Sequence, residues 1–208
     1  MTELNPPLDD QLREIKRRLR AAMNGVLSGT MRKNGVDYRV NFGVDQPRLA
    51  EIATEIPHTY ELAAALWKED IRELRLLAIM TMPQSDFDEE LAMLWMEQLR
   101  YAEEAQVLVL HLLQHRPYAS SMAFRLIAAD AVMQRLVGWL LLGRLFMANL
   151  RPTQRDADEL LDHVGTELSA PDGDVGVKRA ALNMLYKFMD LGEVEAARGE
   201  RLLTQLGL

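Results

Sequence analysis

Apolar side chains recur three and four residues apart along almost the whole chain, and prolines and capping residues cut this helical pattern into segments. The clearest unit spans residues 41–83. Asp45 is placed to cap a helix whose first turn holds Pro47 and whose inward face is Leu49, Ile52, Ala53 and Ile56, and Pro57 ends it. A second helix begins near Thr59 and carries Leu62, Ala63, Leu66 and Trp67 on one stripe. Asp70 is placed to cap a third, in which Ile71, Leu74, Leu76, Leu77 and Ile79 leave little polar surface, so it is expected to be buried on several sides; Pro83 closes it.

The rest of the chain repeats this grammar. After a loose start over residues 1–7, one long amphipathic helix is expected over 8–30, with Leu12, Ile15, Leu19, Met23 and Leu27 inward. Beyond Pro83, Ser85 or Asp86 starts a helix carrying Phe87, Leu91, Leu94, Trp95 and Leu99. It is followed by an apolar helix over 102–115, another opened by Pro117, and a long segment capped by Asp130. Pro152 and Thr153 open an acidic helix, the loop over 170–176 is the clearest break, and two helices over 177–191 and 194–206 finish the chain. No stretch alternates with the period of a strand. The pattern predicts an all-α protein of about ten or eleven helices, stacked as antiparallel pairs into an α-α superhelix and forming one domain over residues 1–208.

Composition narrows the chemistry. There is no cysteine, which removes disulfides, thiolate metal sites and a cysteine nucleophile, and fits a reducing compartment. The N-terminal MTELNPPLDDQLREIKRRL lacks the apolar core of a signal peptide, and the most apolar run, 136–147, is interrupted and too short to span a bilayer, so a cytoplasmic protein without a membrane partner is expected. Net charge is −7, but unevenly placed. Residues 1–40 hold eight Lys/Arg against five Asp/Glu, residues 41–130 seven against fifteen, and residues 131–208 nine against eleven. A partner rich in phosphate would therefore have to meet locally concentrated cations.

The run NFGVDQPRLAEIA followed by LAAALWKEDIRELRLLAIMTMP resembles the DNA alkylation repair family, the alkylpurine DNA glycosylases built from HEAT-like helical repeats. The likeness lies in Phe-Gly-Val at 42–44, Pro-x-Leu at 47–49, Leu-Trp at 66–67 and Glu-x-Arg-Leu-Leu-Ala at 73–78, which makes 41–83 the best-matched repeat. It implies a superhelix whose concave face, in active members, holds duplex DNA. Active members also place an Asp beside Trp side chains in the helix after the one containing Trp95, and a further Trp in a late Val-(Arg/Lys)-(Arg/Lys)-Ala helix. Here the first region reads RYAEEAQV at 100–107, without that aromatic residue or that Asp. In the late helix, VKRAALNMLYKF at 177–188, Asn183 stands where Trp is expected and Tyr186 where Arg is. The resemblance thus implies base excision that is weakened or absent, with Glu103 and Glu104 as candidate substitutes for the missing carboxylate; no cofactor is implied.

Other candidates have plainer explanations. His111 and His115 share a helix at four-residue spacing, but no third ligand follows, so no metal site is expected. Trp67, Trp95 and Trp139 sit on apolar stripes and suit the core better than base stacking. Arg17 and Arg20, then Arg32, Lys33 and Arg39, form a basic N-terminal region that is either a solvated capping face or a phosphate-contacting strip. Arg135, Arg144, Lys178, Arg179 and Lys187 either line the concave face or are solvated singly. Two functional readings lead, ahead of a third in which an active glycosylase uses Glu103 or Glu104. One is a divergent family member that binds DNA without sequence readout. The other is a protein-interaction scaffold that no longer binds nucleic acid.

Overall fold

A computed structural model describes residues 6–208, so most of the start expected to be loose lies outside the described residues. Twelve α-helices are found among them, with two single turns of 3-10 helix and no strand. The residues divide between Asp88 and Glu89 into two compact units.

The first unit contains α1 (Leu8–Ala21), α2 (Gly25–Lys33), α3 (Gln46–Thr54), α4 (Tyr60–Trp67) and α5 (Arg72–Thr81). Its boundaries follow the local chemistry. Asp45 accepts from the Arg48 N–H to cap α3, Pro47 occupies the first turn, and Thr59 caps α4 through the Leu62 N–H. Leu49, Ile52, Leu62, Leu66, Leu74, Leu76 and Leu77 are all buried, and α5 packs against both α3 and α4 while α1 packs on α4. The helix expected over 8–30 is broken. Asn24 adopts an extended backbone and its side chain accepts from the Leu27 N–H, so it ends the path of α1 and caps a new helix starting at Gly25. Met23, expected to face inward, is instead 62% exposed. This break accounts for twelve helices where ten or eleven were expected. At α5 the helix starts from Ile71, one residue beyond the expected Asp70 cap.

The second unit contains α6 (Glu89–Glu97), α7 (Ala102–His111), α8 (Ala119–Ile127), α9 (Val132–Met147), α10 (Gln154–Ser169), α11 (Val175–Met189) and α12 (Glu193–Leu206). Its centre is α9, which packs against α6, α7, α8 and α11, while α12 packs on α11 and α10. That position explains why Leu136, Val137, Trp139, Leu141, Leu142 and Phe146 spread round the helix instead of forming one stripe: neighbours cover it on several sides. Gly138 lets α8 approach, since a Cβ there would lie 2.8 Å from the Ile127 nitrogen. Thr153 and Asp156 form a reciprocal capping box at the start of α10, and Asp174 caps α11 through the Val177 N–H. Asp130 does not cap α9; Ala131 occupies that position without a side-chain bond. Leu94, expected to be inward, is 54% exposed, whereas Phe87, Trp95 and Leu99 are buried.

Candidate nucleic-acid interface

The buried face of α5 explains the turn at 42–44. Among its apolar side chains lie Arg72, Glu73 and Arg75, none more than 4% exposed. Glu73 is the node: Oε2 accepts from the Phe42 N–H at 3.0 Å, and Oε1 accepts from Gly43 N–H at 3.0 Å, Val44 N–H at 3.3 Å and Arg72 Nη1 at 2.8 Å. Arg72 Nη1 also donates to the Val44 carbonyl at 2.8 Å. One carboxylate therefore satisfies three consecutive backbone donors that no helix or sheet would pair, and a guanidinium balances its charge. Gly43 has φ +70, and a Cβ on it would meet the Asn24 carbonyl oxygen at 2.2 Å. Glycine is required there on both counts. Arg75 lies over the Trp67 ring at 3.8 Å from its centroid and donates to the Trp67 carbonyl, which joins α4 to α5.

This turn seats α2. The Asn24 N–H donates to the Phe42 carbonyl at 2.9 Å, Ser28 Oγ donates to the Asn41 carbonyl at 2.7 Å, and the Val36 N–H donates to the Met31 carbonyl at 3.0 Å. Residues 36–42 thus run back along α2, and Arg39 lies within this segment. Arg32 and Lys33 occupy the last turn of α2 and Arg20 the last turn of α1. All four cations are exposed, and none pairs with an acidic group among the described residues. Arg17 differs, because its Nε and Nη2 each donate to the Glu14 carboxylate at 2.7 Å. Hydrogen bonds from Arg17 and Arg18 hold the Glu14 carboxyl pKa at about 2, well below its ordinary 4.5, and the same bond raises that of Arg17. A cleft of about 420 Å³ between α1 and α3 is lined by Arg17, Arg18 and Arg48, but Glu14 and Glu55 also line it, and Arg48 pairs with Glu51. Its charge is therefore largely cancelled.

In the second unit the candidate cations are mostly committed. Arg135 donates to buried Glu167 at 2.9 Å and to the Ala129 and Asp130 carbonyls, tying α9 to α10 and to the end of α8. Arg144 donates to Gln114, Lys178 to the Ala170 carbonyl and Lys187 to Asp190. Arg179 alone of these five is exposed without an acidic partner among the described residues. It begins an exposed stripe of α11 continued by Asn183 and Tyr186.

Glu104 is fully buried and accepts from the Arg100 N–H at 2.8 Å, so its carboxylate closes the start of α7; Glu103 is half-buried one position earlier. His111 has its pKa lowered by burial and, secondarily, by the charge of His115. Among the described residues, no three His, Cys, Asp or Glu side chains come together in a group able to hold a metal ion, and no helix is long and apolar enough to cross a membrane. Trp67, Trp95 and Trp139 are buried in the core. The roles of Glu73, Arg72 and Arg75 were missed in the sequence, although three charged residues in an otherwise apolar helix were the signal. The Asn24-Gly25 pair likewise marked the break after α1.

Comparison with known proteins gives two findings. The profile of the family described as DNA alkylation repair enzyme matches residues 15–172. A solved structure, described as a new family of proteins related to the HEAT-like repeat DNA glycosylases with affinity for branched DNA structures, is similar with a TM-score of 0.80. Sequence identity is 16%, and the match covers 93% of this chain and 82% of the other. No curated protein sequence matches significantly.

Proposed function

This chain belongs to the DNA alkylation repair enzyme family, and from that premise we propose that it binds DNA without sequence readout while its capacity for base excision is weakened or absent. The observation that carries the DNA reading is that Arg20, Arg32, Lys33 and Arg39, at the ends of α1 and α2 and in the segment that follows, are each exposed and free of acidic partners in a protein of net charge −7. Cations on an acidic surface usually find carboxylates; these are left facing water, and two of them, Arg32 and Lys33, lie on the helix that the 42–44 turn seats. Such groups bind phosphate by charge and position, with little access to base edges. The solved relative with affinity for branched DNA supports the same reading.

Loss of excision is argued from chemistry. Breaking an N-glycosidic bond requires a group that stabilises positive charge developing on the sugar. Glu104 is buried and spent on a backbone N–H, and residues 100–107 hold no Trp beside Glu103 to stack on a lesion. The alternative, a protein scaffold without nucleic-acid binding, rests on the acidic balance of residues 41–130.

The test is binding of a fluorescent duplex across a salt series, for the native chain and for an Arg32→Ala, Lys33→Ala, Arg39→Ala variant. Removing one cation from a phosphate lowers the slope of log K against log salt by about 0.9, so removing three would flatten it by roughly 3. Micromolar, salt-sensitive binding that the triple variant weakens supports the proposal. No binding at low salt sinks it in favour of the scaffold. Release of an alkylated base by the native chain, abolished by Glu103→Gln or Glu104→Gln, would overturn the loss of excision.

A further inference from the structure

Val26 is 83% exposed and Met23 62%, more than any other large apolar side chain described in the first unit. Neither contributes to the core, yet both are held on a firmly seated element. Asn24, between them, is bonded through its N–H to Phe42 and through its side chain to Leu27, and the Gly43 turn abuts its carbonyl. Thr30 turns its hydroxyl back to the Val26 carbonyl at 3.0 Å. Val26 and Lys33 are seven residues apart, which puts them on one face of α2 at a distance of about 10 Å along the axis.

We propose that Met23 and Val26 form an apolar wedge that enters an opened base step of DNA, so that α2 favours duplexes whose stacking is interrupted over intact ones. The inference rests on the DNA reading above and adds the feature recognised. Apolar side chains gain nothing from a hydrated phosphate backbone, whereas proteins that insert such residues between base pairs unstack the step at a cost of a few kcal/mol. That cost is smallest where a nick, gap or unpaired base has already exposed the base faces. The charge around the wedge suits the same occupant. With phosphates about 3.4 Å apart along one strand, Lys33 falls about three phosphates from a step filled by Val26. Arg32 shares the last turn of α2 with Lys33 and can hold the strand in register. An anionic lipid surface would also attract the cations. However, a helix lying in a bilayer interface presents a continuous apolar face, and here Leu27 and Met31 are partly covered, leaving only two free apolar side chains.

The experiment uses the full chain and two fluorescent probes, an intact duplex and the same duplex with a one-nucleotide gap flanked by 2-aminopurine. The native protein is expected to bind the gapped probe about tenfold more tightly, equivalent to ~1.4 kcal/mol, and to brighten the 2-aminopurine as it unstacks. A Met23→Ser, Val26→Ser variant keeps the affinity and salt slope for intact duplex and loses both the preference and the brightening. Val26→Phe, a larger wedge, strengthens them. Both positions are exposed, so an unchanged melting temperature checks the fold. A native protein that binds both probes equally, or a double variant that keeps the preference, overturns the wedge while leaving DNA binding intact. Failure to bind either probe is the failure of the DNA reading itself. Binding to phosphatidylserine vesicles that the double variant abolishes, without any gap preference, assigns the tip to membranes instead.

Discussion

Replacing Glu73 by Gln is isosteric, removes one charge and tests the structural role of the 42–44 turn. The carboxylate accepts four hydrogen bonds through two oxygens, one from Phe42 at Oε2 and three at Oε1. Gln keeps one oxygen. Its best placement holds that oxygen at the Oε1 position and points its NH2 at the Phe42 N–H, leaving two donors face to face in a site with no exposure. A hydrogen bond to a charged acceptor contributes about 1.5–3 kcal/mol. The Arg72 guanidinium, 1% exposed, also loses its counter-charge, and breaking a buried ion pair from one side costs about 3–5 kcal/mol. These contributions overlap, so a loss of about 4 kcal/mol is expected, a large part of the roughly 5–15 kcal/mol that holds a typical domain together. Denaturant unfolding would measure it as a fall in midpoint at unchanged m-value. Because α2 hangs on this turn, amide exchange at Ser28 and the following residues of α2 should accelerate more than exchange in α4. A loss below about 1 kcal/mol, or no selective exposure of α2, would refute the view that Glu73 organises the turn and seats the helix.

Five further outcomes follow from particular contacts. Gly43→Ala should destabilise by several kcal/mol, on the order of 3 or more, because it combines positive φ with backbone atoms that cannot move aside. Gly199→Ala should cost about 1 kcal/mol, because the clash there is with the flexible Met189 side chain; denaturation curves compare the two. Gly29 lies within α2, and a Cβ there meets nothing within 4 Å, so Gly29→Ala should raise stability by about 0.5–1 kcal/mol in the same assay. His111 has a folded pKa below its ordinary 6.5, so the unfolded chain binds its proton first: stability should fall as pH drops from about 6.5 toward the folded value, and His111→Gln should flatten that limb of a stability–pH profile. Glu14 is lowered from 4.5 to about 2, so its contribution is complete above 4.5 and disappears as pH falls to about 2, a slope that Glu14→Gln should remove.

Most of the helix pattern was legible because it depends on local chemistry. Asp45, Thr59 and Thr153 cap where their side chains can reach the third residue of a helix, and the stripes beginning at Leu49 and Leu62 are buried as their spacing requires. The break at Asn24 was hidden because Met23 and Leu27 continue the apolar spacing of α1 and mask the cap between them. Periodicity cannot distinguish a residue facing the core from one that would have faced it had the helix continued. What settles the direction of α2 is the contact with Phe42 and Gly43, which are distant in sequence from Asn24.

The carboxylates show why the candidate site was harder to read than the fold. Glu73, Glu104 and Glu167 are all buried, and each has partners that a sequence does not reveal: a turn thirty residues upstream, the backbone just before its own helix, and Arg135 on another helix. A buried carboxylate with its acceptors filled stabilises structure, and the same group with an open acceptor is a catalyst in waiting. Residue type and spacing are alike in both cases. The cations follow the opposite logic: Arg135 and Arg20 look equivalent in the sequence, yet one joins α9 to α10 and the other faces water. It is the unsatisfied charge that is available to a partner, which moves the expected contact with DNA from the scattered cations of the second unit toward the end of α2.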